Sequence, residues 1–181
     1  MDPLISFPLL VGLIGIALAF DFLNGLHDAA HSIATVVSTR LLSPVQAVLF
    51  AAVFNFSAYF FFGLKVAETV GKGIVSAEIV DARVIFGALM GAISWNVITW
   101  LLGIPSSSSH ALIGGLLGAG TAKAGSAAIV WSGVLKTSFA IVLSPTIGLV
   151  LALVLVLITS WVFVRSTPTA ADRRYRRLQL I

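Results

Sequence analysis

Gly103-Ile104-Pro105-Ser106-Ser107-Ser108-Ser109-His110-Ala111-Leu112-Ile113-Gly114-Gly115 decides how this chain is read. Four serines and a histidine lie between two strongly apolar segments. Pro105 predicts the end of the helix before it and suits the first turn of the helix after it. The serines suit a helix start, where a hydroxyl satisfies a free backbone N–H. In water such a cap is ordinary. In an apolar chain its polar groups are costly unless something uses them. A helix N-terminus with spare N–H donors and several hydroxyls is a receptor for an anion. The stretch reads as an oxyanion site inside a membrane protein, or else as a polar loop at the membrane surface.

The composition favours a membrane. Of 181 residues, 59% are hydrophobic and 10% charged, and the mean hydropathy is +1.07. A soluble domain carries roughly 25% charged residues. The expected fold class is all-α, a polytopic transmembrane helical protein. Cysteine is absent, which excludes disulfides, thiolate metal sites and a cysteine nucleophile. The net charge of +4 does not point to nucleic acid. Five of the eleven basic residues fall between Arg165 and Arg177, a topology signal. Ala17-Leu18-Ala19 resembles a signal-peptidase site, but Met1-Asp2-Pro3 offers no basic n-region. A retained first membrane helix is therefore expected.

Taken in order, Leu4 to Phe22 predicts the first span. It runs into Asp21-Phe22-Leu23-Asn24-Gly25-Leu26-His27-Asp28-Ala29-Ala30-His31-Ser32, and Ile33 to Leu42 is apolar again but short. This pattern predicts a broken helix, unwound at Asn24-Gly25, with a half-helix starting near His27. Arg40 and Pro44 mark a turn. Val45 to Leu64 predicts the next span, with Asn55 inside it. Lys65 to Arg83 holds three basic and three acidic residues and reads as a surface loop. Val84 to Leu102 predicts a third long span, with Gly87-x-x-x-Gly91 as a close-packing face and Asn96 near its end. Ala111 to Thr121 is short, and Gly114-x-x-x-Gly118 offers a second close-packing face. Ser126 to Ser138 reads as an interfacial helix anchored by Trp131 and Lys136. Ala140 to Val164 is a long span that Pro145 kinks near its start. A basic C-terminus places the tail in the cytoplasm, and five crossings with one re-entrant piece satisfy the charge bias.

Two interrupted polar segments in one apolar chain are the best sequence pointer to a transporter site. Charge divides the labour. The serine turn, Ser106, Ser107, Ser108 and Ser109 with His110, offers donors that suit an anion. Asp28, with Asn24, Asn55 and Asn96 as oxygen donors and His27 beside it, suits a cation; sodium fits Asp28 and Asn24, and a carboxylate can instead carry a proton. His27 and His31 are four residues apart and share a helical face. With Asp28 they spell His-Asp-x-x-His, near the zincin His-Glu-x-x-His, so an intramembrane metalloprotease is an alternative. It lacks the glutamate base and an evident third ligand. Ser109 and His110 point about 100° apart on a helix and cannot pair as nucleophile and base.

At these residues the chain resembles the PiT family of inorganic phosphate transporters. Asn24 to Ser32 looks like the family's Gly-x-x-Asp-x-x-Asn element, with His31 where the family usually has asparagine. Gly63 to Ile74 resembles its second-loop pattern. Trp95-Asn96 and Gly103 to Gly114 resemble its Pro-x-Ser-x-Ser/Thr-His element. The resemblance implies a secondary transporter of inorganic phosphate, coupled to sodium or protons, and not an enzyme; a sulfate or other oxyanion permease is the alternative. No cofactor beyond the coupling ion is implied. The family carries two inverted copies of this unit, and the chain matches one, so it reads as the N-terminal repeat. Residues 1–164 are expected to form the membrane domain, and 165–181 a basic cytoplasmic tail opening a linker. The expected partners are phosphate, the coupling ion, the lipid of the plasma (inner) membrane, and a second repeat or another copy. Alone, one repeat is not expected to transport.

Overall fold

The computed structural model describes residues 6–62 and 73–178. Among them the regular structure is helical, with one isolated bridge between Val75 and Ile129. The helices are α1 (Phe7–Ser38), α2 (Pro44–Phe62), α3 (Ala82–Leu101), α4 (Ser108–Ala124), α5 (Trp131–Phe163) and α6 (Pro168–Leu178). Four of them, α1, α2, α3 and α5, are long and apolar enough to cross a membrane. The all-α, multi-span class read from the sequence is the observed one.

The expected break in the first span is absent. α1 runs unbroken through Asn24 and Gly25 for 32 residues. A glycine inside a helix costs only about 1 kcal/mol relative to alanine. Unwinding frees backbone groups that cost several kcal/mol each where no water reaches them. Continuity therefore wins, and the polar side chains ride on an intact backbone. α1 ends where Arg40 adopts φ 55°, with Leu41 N–H donating to Val36 O and Arg40 N–H to Val37 O. Ser43 caps α2 in reciprocal fashion: Gln46 N–H reaches the Ser43 hydroxyl, and the Gln46 side chain accepts from Ser43 N–H at 3.1 Å.

The second interruption is real, but Gly103 makes it rather than Pro105. Gly103 has φ +65°, and the bonds Ile104 N–H to Thr99 O and Gly103 N–H to Trp100 O close the end of α3. This pair of bonds is the glycine-dependent helix stop. Pro105 lies in the connection, two residues before the cap Ser107.

α3 and α4 pack so closely that a Cβ on Gly115 would overlap the carbonyl oxygen of Ala88. Gly91 faces the Gly115 Cα, and Gly87 faces the Ala119 Cβ. The first small-residue face is thus the expected one. The second is Gly115/Ala119, one residue round from the expected Gly114/Gly118, which have open space beside them. Below this contact lies a core of Ile74, Val75, Val84, Ala88, Leu116 and Ala128. The expected surface loop from Lys65 to Arg83 is therefore overturned for Ile74 and Val75, which are buried; residues 63–72 lie outside the described part. The backbone of Ile74 to Ser76 is tied to Ala128 and Val130 by hydrogen bonds of 2.9 and 3.0 Å.

Nor is there a separate interfacial helix over 126–138. A short 3-10 turn, Gly125–Ala128, leads directly into α5, which runs through Lys136 and Pro145 to Phe163. A lysine near a helix end can carry its charge to the interface on its apolar stem, so it need not end the helix. α5 has no fully buried residue within the described structure; its start packs on the core through Val134 and lies against Gly73 at Gly133.

At the opposite end of the α3/α4 pair from the serine turn, Asp81 caps α3 by accepting from Val84 N–H at 3.0 Å. Lys123 Nζ sits 2.8 Å from its other oxygen and also donates to Ile79 O. The Lys123 hydrogen bond, then that of Val84, holds the Asp81 carboxyl below its ordinary range. A depressed carboxylate stabilises the fold above its unfolded pKa and loses that contribution as pH falls through its folded one. Thermal melting of the purified chain should thus fall at pH below about 4, the ordinary aspartate value. Asp81→Asn and Lys123→Gln should flatten that acid limb; an unchanged limb in both would contradict the assignment.

Candidate functional site

The six-residue connection from Leu102 to Ser107 separates two capped helices, so each serine has a distinct task. Ser107 is the N-cap of α4 and its hydroxyl accepts from His110 N–H at 3.4 Å. Ser106 accepts from Trp95 Nε1 at 3.0 Å. Ser108 is buried and donates to the side-chain oxygen of Asn24 on α1. Ser109 is exposed and lines neither groove described below.

Two grooves open around this junction. The first, about 770 Å³, is lined by Trp95, Pro105, Ser106, Ser107 and His110, with glycines of α3 and α4 along its floor. Its polar wall consists of hydroxyls, an imidazole and the first turn of α4. Positive potential from the helix end adds to the hydrogen-bond donors there. The second, about 780 Å³, is lined by Asp21, Asn24, Asp28, His31 and Ser32 of α1 and by Asn55 of α2. Its polar wall is rich in carboxylate and amide oxygens, which suit a hard cation such as sodium or a transferable proton. Asn24 lines this second groove while its side chain accepts from Ser108.

The structure brings Asn24, Asp28 and Asn55 together, as their residue types suggested. Asn96 does not join them. It is 1% exposed inside α3, and its amide nitrogen has no partner among the described residues. Thr99, one turn on and equally buried, donates to Trp95 O and Asn96 O. His27 Nδ1 lies 3.0 Å from Leu23 O, and its Nε2 is buried without a partner among the described residues. His31 Nδ1 bonds the His27 carbonyl, and the Ser32 hydroxyl bonds that of Asp28. Both ring contacts are local to the helix, and the described residues contain no group of three or more His, Asp or Glu suited to a metal. The third ligand that a zincin-like site needs is therefore missing from the donor set.

The sequence reading left Asp21 out of the cation-binding set and gave His31 only in the zincin-like alternative and at the family's asparagine position. The signal was present: 21, 24, 28 and 31 are spaced by three, four and three, one face of a continuous helix. Expecting a break at Asn24-Gly25 hid it. Trp95 was missed as a partner of Ser106, because its bond crosses the turn between two helices.

Comparison with known proteins bears on the family of the chain. Residues 24–180 match the Phosphate transporter family. A relative from Rhizobium meliloti (strain 1021), named "Probable low-affinity inorganic phosphate transporter", is 67% identical over all of this chain and 54% of its own length. A Streptomyces halstedii relative of the same name is 46% identical over 99% of this chain and 84% of its own. One from Bacillus subtilis (strain 168) is 47% identical over 91% of this chain and 50% of its own. The chain thus spans about half the length of the Rhizobium and Bacillus relatives. A solved structure titled "The sodium-dependent phosphate transporter" matches with a TM-score of 0.82 and 29% identity, over 91% of this chain and 42% of its own. These relatives are named as transporters, which sets the metalloprotease alternative aside. Spans, polar grooves and relatives agree: this chain is a multi-pass membrane protein that belongs to the phosphate transporter family.

Proposed function

We propose that this chain supplies phosphate-binding and cation-binding groups to a secondary carrier that moves inorganic phosphate inward with sodium or a proton. The observation that carries the reading is the Ser108–Asn24 hydrogen bond. It joins the donor-rich turn to the oxygen-rich face of α1, so an anion groove and a cation groove flank one bond. Ser106, Ser107, His110 and the first-turn N–H groups of α4 would hold phosphate. Ser109, although part of the serine run, lines neither groove and is not placed with them. Asp28, Asn24 and Asn55, joined by Asp21, would hold the coupling ion, with sodium at Asp28 and Asn24. His27 and the buried Asn96 would order the helices behind them. A cation beside a multiply charged anion offsets part of the anion's desolvation cost.

A second repeat, or another copy, would complete the carrier, because inverted-repeat transporters bind substrate between repeats. The arginine-rich end would lie in the cytoplasm of a cell whose plasma membrane holds the protein, with residues 1–164 as the membrane domain.

The test is radiolabelled phosphate uptake in bacteria lacking their own phosphate carriers. The chain is expressed alone, and together with the part of the Rhizobium relative that it does not cover. Saturable uptake driven by an ion gradient, competed by phosphate and not sulfate, is expected only from the pair. No uptake from a pair shown to be inserted, or equal competition by sulfate, would overturn the phosphate reading. Uptake from the chain alone would overturn the need for a second repeat.

A further inference from the structure

The densest charge in the chain lies outside both grooves. Five arginines and one aspartate fall between Arg165 and Arg177. Most of this stretch is α6, where Arg176 Nε donates to Asp172 Oδ2 at 3.0 Å, one turn away. That pair uses the only carboxylate of the stretch, and the helix stays strongly cationic. Positions 171 and 175 share one side of α6; positions 173, 176 and 177 lie on the other, with 174 at the flank. Ala171 is half-buried. The Tyr175 ring packs on Phe163, the last residue of α5, with centroids 4.8 Å apart. This contact turns α6 back against the end of α5.

The depth of that contact follows from α5. Trp131 and Trp161 are 58% and 81% exposed, one near each end. At 1.5 Å per residue they stand about 45 Å apart along the helix. A bilayer with its headgroup regions measures about 40–45 Å. Tryptophans settle at the two membrane–water interfaces. Trp161 and Phe163 therefore sit at headgroup level, and Tyr175 holds α6 there. A basic amphipathic helix tied at that depth is suited to lie along the surface.

We propose that α6 is a docking surface for anionic phospholipid headgroups. The arginines of its cationic side, among them the exposed Arg174 and Arg176, supply the charge for the headgroup phosphates, while Ala171 and Tyr175 face the apolar boundary beside the end of α5. Guanidinium groups match phosphate oxygens two at a time. Net charge supplies the preference for acidic over zwitterionic lipid, and salt screens it.

The absence of cysteine makes the test direct. An Ala171→Cys chain carrying a nitroxide is reconstituted in vesicles of phosphatidylcholine, with or without phosphatidylglycerol. Exposure of the label to a water-soluble relaxation agent is compared with exposure to oxygen. Severalfold greater shielding from the water-soluble agent is expected with phosphatidylglycerol. That gain should disappear when all four arginines of α6 become glutamine, and should shrink as sodium chloride is raised. Equal shielding in the two lipids, or undiminished shielding in the glutamine variant, would overturn the proposal. So would release of the label by inorganic phosphate beyond that by sodium chloride of equal ionic strength, since the arginines would then hold free phosphate.

Discussion

Gly115→Leu is expected to leave little folded protein in the membrane, and Gly115→Ala to be clearly less stable than the parent. The reason is contact with backbone, not with a side chain that can turn aside. A Cβ at this position meets the Ala88 carbonyl oxygen, so α3 and α4 must separate for even one methyl group. Overpacking of a well-filled contact costs about 1–3 kcal/mol, and leucine adds three further carbons to the same collision. Separation would also loosen the core that Ala88 and Leu116 share with Ile74, Val75 and Ala128. The control is the adjacent residue. Gly114 has nothing within 4 Å of its Cβ position, so Gly114→Ala should gain about 0.5–1 kcal/mol from helix propensity alone. Melting of detergent-solubilised protein, followed by size-exclusion profile, reads both. The two alanine variants should move in opposite directions; a Gly115→Ala chain as stable as the parent would show that the close approach does not exist.

Asp28→Asn is expected to reduce phosphate uptake by the paired system roughly thirtyfold or more, with the amount of inserted protein unchanged. The substitution keeps the shape and removes the charge. Removing one member of a desolvated charge pair costs about 2–5 kcal/mol, and each 1.4 kcal/mol is tenfold in affinity. Asp28 is exposed to its groove and belongs to no buried cluster, so the fold should tolerate the change. The coupling ion shows itself in the rescue. Partial recovery at high external sodium indicates a sodium site, whereas loss of the pH dependence of uptake indicates a proton carried on the carboxylate. Unaltered uptake at equal membrane abundance would remove Asp28 from the cation site.

How much of this was legible in the sequence differs from residue to residue. Spans α2 and α3 were legible because each is a long apolar run beside a turn signal, Arg40 and Pro44 before one and Pro105 after the other, although Gly103 makes the second stop. The interruption at 103–107 was legible for the same reason, since glycine, proline and serine all argue for it. Residues 21–32 were misread because the same polar side chains suit a break or a groove-facing stripe on an intact helix. Only the position of α2 and α4 beside them decides which. The shift from Gly114/Gly118 to Gly115/Ala119 is a rotation of about 100°, which spacing by four cannot detect. Lys136 suggested an end that α5 does not have. Ile74 and Val75, set among charged neighbours, gave no local sign that a core forms around them.

The unbroken α1 has a consequence for how an ion could be held. Its carbonyl oxygens are committed to the helix ladder, and those of Leu23, His27 and Asp28 are each also contacted by a side chain. Coordination in the oxygen-rich groove would then fall chiefly to the side-chain oxygens that line it, which swing on rotatable bonds. Asn24 is different, because Ser108 on α4 fixes its arm. A slide of α4 along α1 would release that arm and alter the coordination shell without either helix unwinding. The same hydrogen bond that locates the two grooves would then act as a latch, through which the position of one helix and the grip on the ion are read together.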